Sequence, residues 1–244
     1  MEKNFPLRPE NELVLDENPK VLFEDADLLV VEKGAPLPVH PVSRFQERNL
    51  LSILERRYGQ KLYLANRLDS ETSGLILVAR DESIAGELGK SFQSKMVHKE
   101  YIAIVQGAPP EKKGWIRAPL KGRRDHLCHI YEPHPDGKAA ETEYEVLEKR
   151  GGHCLLRLIA HTGRTHQLRV HLKAIGCPIA GDKIYIDLKV YDHYVHHGWL
   201  PWMAEIVSCS RLALHASLLQ FPHPANRQII RIESPFPHGQ FNFF

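Results

Sequence analysis

Strand-like segments follow one another along much of this sequence without a helical segment between them. Short apolar runs occupy 101–105, 142–147 and 154–160, and two more lie at 212–221 and 228–232. Neighbouring strands joined by short connections pair antiparallel, whereas a parallel pair needs a long crossover, usually a helix. The sequence therefore predicts an α+β fold with a mixed, mostly antiparallel central sheet flanked by helices and loops. The pattern argues against a doubly wound parallel sheet.

Local signals place helices and a hairpin around this sheet. Apolar residues at helical spacing predict helices near 50–58, 81–95 and 168–175. Gly59 and Gly176 follow the first and third at the position of a C-terminal cap, and Asp81 precedes the second as an N-cap. Two apolar runs around an acidic turn at 24–27 predict a β-hairpin.

The length of 244 residues and the 43% hydrophobic content favour one domain or two fused halves. We expect residues 1–18, which are polar and contain proline, to form an N-terminal arm, and 19–244 to form the functional domain. No apolar run reaches the roughly 18 residues of a membrane span, and the N-terminus lacks the apolar core of a secretory signal. The cysteines are scattered without a C-x-x-C pair, which predicts reduced thiols and a cytoplasmic location: Cys128, Cys154, Cys177 and Cys209.

Basic residues are unevenly distributed, although the net charge is only +2. They cluster at Arg56-Arg57, at Lys112-Lys113, at Lys121 with Arg123-Arg124, and at Arg164 with Arg169 and Lys173. Cations collected on one face can follow a phosphate backbone. Such clusters are also typical of a solvated surface, so charge alone leaves both interpretations open.

Three segments combine reactive side chains with a well-defined local setting. Arg67 and Asp69 stand two residues apart at a strand edge, so an extended backbone points both side chains the same way. Tyr101 lies on a predicted strand, and Arg169 lies near the start of a predicted helix. Each has a structural alternative: a turn-capping carboxylate, a core aromatic ring and a solvated helix face. Taken singly, none of them identifies a function.

Taken together, the three segments resemble the ordered motifs of the RluA-type pseudouridine synthases. Residues 66–74 resemble the signature H-R-L-D-x-x-T-S-G, while 99–107 and 163–172 resemble the second and third motifs of that family. Two later motifs also fit in order, namely Gly181-Asp182-x-x-Tyr185 and Leu212-x-Leu214-His215-Ala216. The resemblance extends from about residue 21 to about residue 237. Asn66 departs from it, because it stands where the family usually has histidine.

The resemblance implies a pseudouridine synthase fold and an enzyme that isomerises uridine in RNA. Asp69 would be the essential carboxylate, and Arg169 would pair with it. Arg67 would fill the space left by an extruded uridine, and Tyr101 would stack on the flipped base. The implied reaction involves neither redox change nor net hydrolysis, so no cofactor and no metal ion are expected.

The implied partner is structured RNA, either ribosomal or transfer RNA. Lys99, Arg164 and Lys173 would hold its phosphates without specifying sequence. We expect no membrane association, no obligate protein partner and a monomeric state. Many relatives carry a small N-terminal RNA-binding domain, for which the leading residues 1–18 are too few.

Two other function classes remain as alternatives. A zinc-dependent hydrolase would use histidines near ligand spacing, namely His193-x-x-His196-His197 and His126-x-x-His129. No motif such as H-E-x-x-H accompanies them. A non-catalytic RNA-binding protein is the second alternative. The aromatic segment 199–202, within a His-rich insert at 187–207, is either packed or a contact for a partner.

Overall fold

The structure is a computed structural model in which residues 14–42, 45–125 and 128–241 are described. The helices are α1 (Leu50–Tyr58), α2 (Glu82–Gln93), α3 (Gln167–Ala174), α4 (Lys183–Ile186), α5 (Leu188–His197) and α6 (Met203–Val207). The strands are β1 (Lys20–Glu24), β2 (Leu28–Lys33), β3 (Tyr63–Leu64), β4 (Ser73–Ala79), β5 (His98–Gln106), β6 (Lys113–Arg117), β7 (Leu120–Arg124), β8 (His129–Pro133), β9 (Glu141–Arg150), β10 (His153–Ala160), β11 (Leu214–Pro222) and β12 (Ile229–Glu233). Within this described part, no helix is both long and apolar enough to span a bilayer.

One large sheet organises the described residues. Its strand order is β1-β2-β4-β11-β5-β10-β9-β6, with β3 added to β4 and β12 added to β11. Every pairing in this sheet is antiparallel except that of β4 with β11, which are parallel at Ser73–His215 and Gly74–Ala216. Strands β7 and β8 form a separate antiparallel pair. The predicted α+β fold with a mixed, mostly antiparallel sheet is confirmed.

Strand β11 joins the two parts of the sheet, because it lies between β4 on one side and β5 on the other. Of its two neighbours, β4 is buried on both faces, along all seven of its residues. Helix α1 covers one face of β2 and β4, α2 covers the other, and α3 packs near β5 and β10. Burial on both faces explains why β4 is a continuous apolar run and not an alternating one.

Most local predictions are confirmed. Strands β1 and β2 pair as a hairpin, Gly59 ends α1 with φ 65° and donates its N–H to Glu55, and the Asp81 side chain accepts the N–H of Ile84 at the start of α2. Gly176 follows α3 with φ 77°. The boundaries differ: β5 extends over 98–106, and the insert at 187–207 is largely helical, as α5 and α6.

The backbones of β4 and β11 approach too closely for any side chain at position 74. Gly74 has φ 109°, and a Cβ built there would lie 2.3 Å from the carbonyl oxygen of Ala216. We expect Gly74→Ala to lower the free energy of unfolding by about 3 kcal/mol or more, since it adds backbone strain and overpacking. Urea unfolding followed by circular dichroism measures this.

Gly86 provides the matched control. It lies inside α2, and a Cβ there would meet nothing within 4 Å. Gly86→Ala should therefore raise the free energy of unfolding by about 0.5–1 kcal/mol. Equal effects of the two substitutions would contradict the close approach of β4 and β11.

Candidate active site

Asp69 lies in the turn formed by residues 67–72, called here the Asp69 turn, which leads into β4. Within it Arg67 is exposed and Leu68 is buried, while the side chain of Asp69 is 26% exposed. This alternation agrees with the prediction that Arg67 and Asp69 face away from the core. The N–H of Thr72 donates to the carbonyl oxygen of Asp69, which closes the turn.

Arg169 of α3 lies between two carboxylates. Its Nη1 donates to Oδ2 of Asp69 at 3.1 Å, while Nε and Nη2 donate to the two oxygens of Asp182 at 2.7 and 2.8 Å. The guanidinium is nearly buried, with 8% of the side chain exposed. Burial would lower the pKa of Arg169, but the charges on Asp182 and Asp69 outweigh it and raise that pKa above its ordinary value. The group therefore stays cationic, and the predicted alternative of a solvated helix face is wrong.

Asp182 is a member of the site to which the sequence assigned no role. Its side chain is fully buried and also accepts the N–H groups of Ile184 and Tyr185 at the start of α4. Burial would raise the pKa of Asp182, but the neighbouring Arg169 lowers it below its usual range. Its only signal in the sequence was its place in the Gly181-Asp182-x-x-Tyr185 motif.

Two buried lysines contact residues of the Asp69 turn through their ammonium groups. The Nζ of Lys33 donates to the carbonyl oxygens of Gly34, Leu37 and Ser70 at 2.9–3.0 Å, and the Nζ of Lys183 lies 2.9 Å from a carboxylate oxygen of Glu71. Burial, together with the charge of Arg211, lowers the pKa of Lys33 to about 7. The sequence did not reveal either lysine as part of the site, because lysine normally signals an exposed position.

A chain of hydrogen bonds links β8 and α4 to His166, which lies next to Asp69. The N–H of Tyr131 donates to the hydroxyl of Tyr185 at 3.0 Å, and that hydroxyl lies 2.8 Å from Nδ1 of His166. The Nε2 of His166 lies 3.9 Å from Oδ2 of Asp69. Burial and the charge of Arg169 lower the pKa of His166 to about 4, despite the opposing effects of Asp69 and Asp182.

Tyr101 is partly buried on β5, where its ring packs against both the β5–β10 core and the β2–β4 core. Burial raises its pKa to about 12, and the charge on Asp69 acts in the same direction. Tyr101 is therefore a neutral phenol, electrostatically coupled to Asp69. The structure thus brings Asp69, Arg169 and Tyr101 into one region, as the sequence predicted.

The three predicted phosphate contacts lie further out. Lys99 is half-buried with its Nζ 5.7 Å from the centre of the Phe92 ring, and burial lowers its pKa. Arg164 is exposed and donates through Nε to the carbonyl oxygen of Ala139. Lys173 is exposed on α3, at the rim of a cleft of about 510 Å³ between α3, α4 and the β7–β8 hairpin.

Of the residues in the two histidine patterns, His126 lies outside the described residues. His193 and His197 contact each other's rings, and His193 also contacts Trp202. Among residues 14–42, 45–125 and 128–241, the one group positioned to hold a cation is Asp25, Asp27 and His223.

This group is better explained as a hydrogen-bonded turn. Nδ1 of His223 accepts the N–H of Ala225, and Nε2, on the other side of the ring, donates to Oδ2 of Asp25 at 3.0 Å. Hydrogen bonds among these side chains and the neighbouring backbone thus account for the geometry of the group without a cation.

Comparison with known proteins gives the same family as the motifs. The family described as RNA pseudouridylate synthase matches residues 27–174. The ribosomal large subunit pseudouridine synthase D of Nitrosomonas europaea is 37% identical over 89% of this chain and 62% of its own length. The ribosomal large subunit pseudouridine synthase C of Vibrio vulnificus is 35% identical over 88% of this chain and 65% of its own length. The chain thus spans less than two thirds of these two relatives.

A solved structure confirms the fold. Human RNA pseudouridylate synthase domain containing 1 superposes with a TM-score of 0.71 and 26% identity, over 91% of this chain and 84% of the human one. The matched family segment includes Asp69, Tyr101 and Arg169, the residues that the structure gathers at one site. The chain therefore belongs to the RNA pseudouridylate synthase family.

Proposed function

We propose that this protein isomerises uridine to pseudouridine in structured RNA, with Asp69 as the essential carboxylate and without a cofactor. The observation that carries the proposal is the position of Asp69, which is partly exposed at the surface and held through one oxygen by the buried Arg169. A nearby guanidinium orients a carboxylate through a charge-assisted hydrogen bond. The names of the curated relatives make ribosomal large subunit RNA the first substrate to test.

The proposed reaction breaks the bond from C1′ of the ribose to N1 of uracil, turns the base and joins C1′ to C5. The proton on C5 is then released to solvent. Asp69 either attacks the ribose directly or removes a sugar proton after the bond breaks, and both roles require an ionised carboxylate. In both routes the bonding electrons of the C1′–N1 bond leave with uracil.

The uridine must leave its stack to reach Asp69, at a cost of a few kcal/mol. We propose that Arg67, which is exposed two residues from Asp69, enters the vacated space. Tyr101 would provide the flat neutral surface for the extruded base. Lys99, Arg164 and Lys173 would bind phosphates around the opening. We further expect the protein to act in the cytoplasm as a monomer.

Mapping of pseudouridine tests the proposal. Carbodiimide-dependent reverse-transcription stops are compared in RNA from cells with and without this gene. At least one stop should disappear, and purified protein should release tritium from a 5-tritiated RNA fragment that contains that site. An unchanged set of stops, together with no tritium release from ribosomal or transfer RNA, would refute the proposed activity.

Arg67→Ala should slow the reaction on folded RNA more than on an RNA whose target uridine is already unpaired and extruded. The expected loss is about 10²-fold on the folded substrate and less than about fivefold on the other, since extrusion costs a few kcal/mol. The measurement is the tritium release rate on both RNAs. Arg231→Ala, which removes an exposed arginine from β12, is the control and should leave both rates unchanged. Equal losses on the two substrates would rule out a role in extrusion.

A further inference from the structure

His166 presents a proton donor of fixed direction to the space beside Asp69. The residue adopts a left-handed backbone conformation with φ 55°, immediately before α3. Its side chain is 15% exposed, and Nε2 lies 3.9 Å from Oδ2 of Asp69. That distance is too long for a hydrogen bond between the two groups, so Nε2 is available to a substrate atom that enters the gap.

The hydrogen bonds of Tyr185 determine which nitrogen of His166 carries the proton. The Tyr185 oxygen already accepts the backbone N–H of Tyr131, and its own hydrogen needs an acceptor in this partly buried setting. Nδ1 of His166, at 2.8 Å, is that acceptor. A neutral imidazole that accepts at Nδ1 carries its proton at Nε2. The proton of His166 therefore points towards Asp69.

The chemistry of the base explains why such a donor is useful. Uracil leaves C1′ with the bonding electrons, so negative charge develops on the ring and is shared with its carbonyl oxygens. Before cleavage the carbonyl next to the reacting atom N1 is O2. Rotation by half a turn about the N3–C6 axis exchanges N1 with C5 and O2 with O4. One fixed donor beside C1′ therefore meets a carbonyl oxygen in both orientations.

We propose that His166 is the neutral N–H donor that binds this uracil oxygen, O2 before cleavage and O4 after rotation, and that Tyr185 is a positioning residue that keeps the donor proton on Nε2. This inference rests on the proposed isomerisation. Fixed donors aimed at developing negative charge lower a reaction barrier without the cost of reorganising solvent.

Neutrality is essential to this role. The low pKa of His166, about 4, leaves the ring uncharged at neutral pH. A charged imidazolium would place a second cation beside Asp69, in addition to Arg169, and would weaken the carboxylate further as a nucleophile or base. A neutral ring leaves the carboxylate free to react and still stabilises the departing base.

Two substitutions at position 166 separate the donor from the packing. Leucine and glutamine both suffer the strain of a left-handed backbone, but only glutamine carries an N–H donor. At saturating RNA, the single-turnover rate of tritium release should be about 10²- to 10³-fold lower in His166→Leu than in the wild type. The saturated rate of His166→Gln should be at least about tenfold higher than that of His166→Leu. The Kd for RNA should change less than about threefold in both, which separates a transition-state effect from a binding effect.

Tyr185→Phe tests the assignment of the tautomer. In the wild-type background it should reduce the saturated rate about twofold, because the proton of His166 is then shared between its two nitrogens and half of the molecules lack the Nε2 donor. In the His166→Gln background it should cause no further loss, since glutamine has no tautomer to set. This double-mutant cycle remains available if His166→Leu does not fold.

The outcomes distinguish this inference from the proposed function. A wild-type protein with no tritium release would refute the isomerisation itself. An active wild type whose rate is unchanged in His166→Leu, or is no better in His166→Gln than in His166→Leu, would overturn only the role of His166. Equal effects of Tyr185→Phe in both backgrounds would overturn the role of Tyr185.

Discussion

Asp69→Asn is expected to reduce tritium release from 5-tritiated uridine RNA by about 10⁴-fold or more, because an amide neither attacks ribose nor accepts a sugar proton. The protein should remain folded. Arg169 keeps both of its hydrogen bonds to the buried Asp182, so its charge stays compensated when the carboxylate at position 69 is lost. The midpoint of thermal unfolding should therefore shift by less than about 4 °C.

Asp136→Asn is the matched control for this prediction. It removes a carboxylate that is 76% exposed in the turn between β8 and β9. Both its activity and its melting temperature should equal those of the wild type. Turnover that survives in Asp69→Asn at more than about a hundredth of the wild-type rate would remove Asp69 from the chemistry.

Arg169→Met is expected to lower the free energy of unfolding by about 3–5 kcal/mol and to abolish activity as well. The substitution leaves Asp182 buried without a cation, and an uncompensated buried charge is strongly destabilising. Lys173→Met removes a cation from the exposed side of the same helix and should change stability by less than about 0.5 kcal/mol. Urea unfolding at pH 8 measures both variants.

The dependence on pH gives this prediction a second readout. In the wild type Arg169 depresses the pKa of Asp182, so the pair contributes stability above the unfolded pKa of about 4 and loses it as pH falls through the folded pKa. In Arg169→Met the largest opposing effect is lost, so burial, opposed only by the backbone N–H of Tyr185 and by His166, raises the pKa of Asp182. The folded variant then binds a proton more tightly than the unfolded chain, and it gains stability as pH falls. The loss of unfolding free energy in Arg169→Met relative to the wild type should therefore be smaller at pH 5 than at pH 8. An equal loss at both pH values would show that the substitution acts mainly through lost packing and not through charge.

Local signals in the sequence predicted the elements well because each depends on neighbouring residues. Gly59 and Asp81 mark helix ends through backbone conformation and a single side-chain bond, both of which are local. The fold class followed from strands that succeed one another directly. Asp69, Tyr101 and Arg169 were found through motifs, and the structure brings them together over about a hundred positions of sequence.

The remaining features depend on long-range burial, which no local pattern reveals. The second partner of Arg169 is Asp182, a carboxylate that would stay exposed if α4 packed elsewhere. Lys33 is the last residue of an apolar strand, where a lysine would be predicted to be exposed. In the structure it is buried, and its ammonium group donates to three carbonyl oxygens. The place of β11 beside β4 was equally hidden, since more than a hundred residues separate the two strands.

The central place of β11 has a consequence for protein synthesis. A nascent chain translated only as far as β10 has made the strands on both sides of β11 but lacks the strand that joins them. Until then the turn that carries Asp69 and the strand that carries Tyr101 belong to two unconnected sheets. Asp69 and Tyr101 can therefore reach their final separation only late in translation, and the facing edges of β4 and β5 stay open in the emerging polypeptide until that moment.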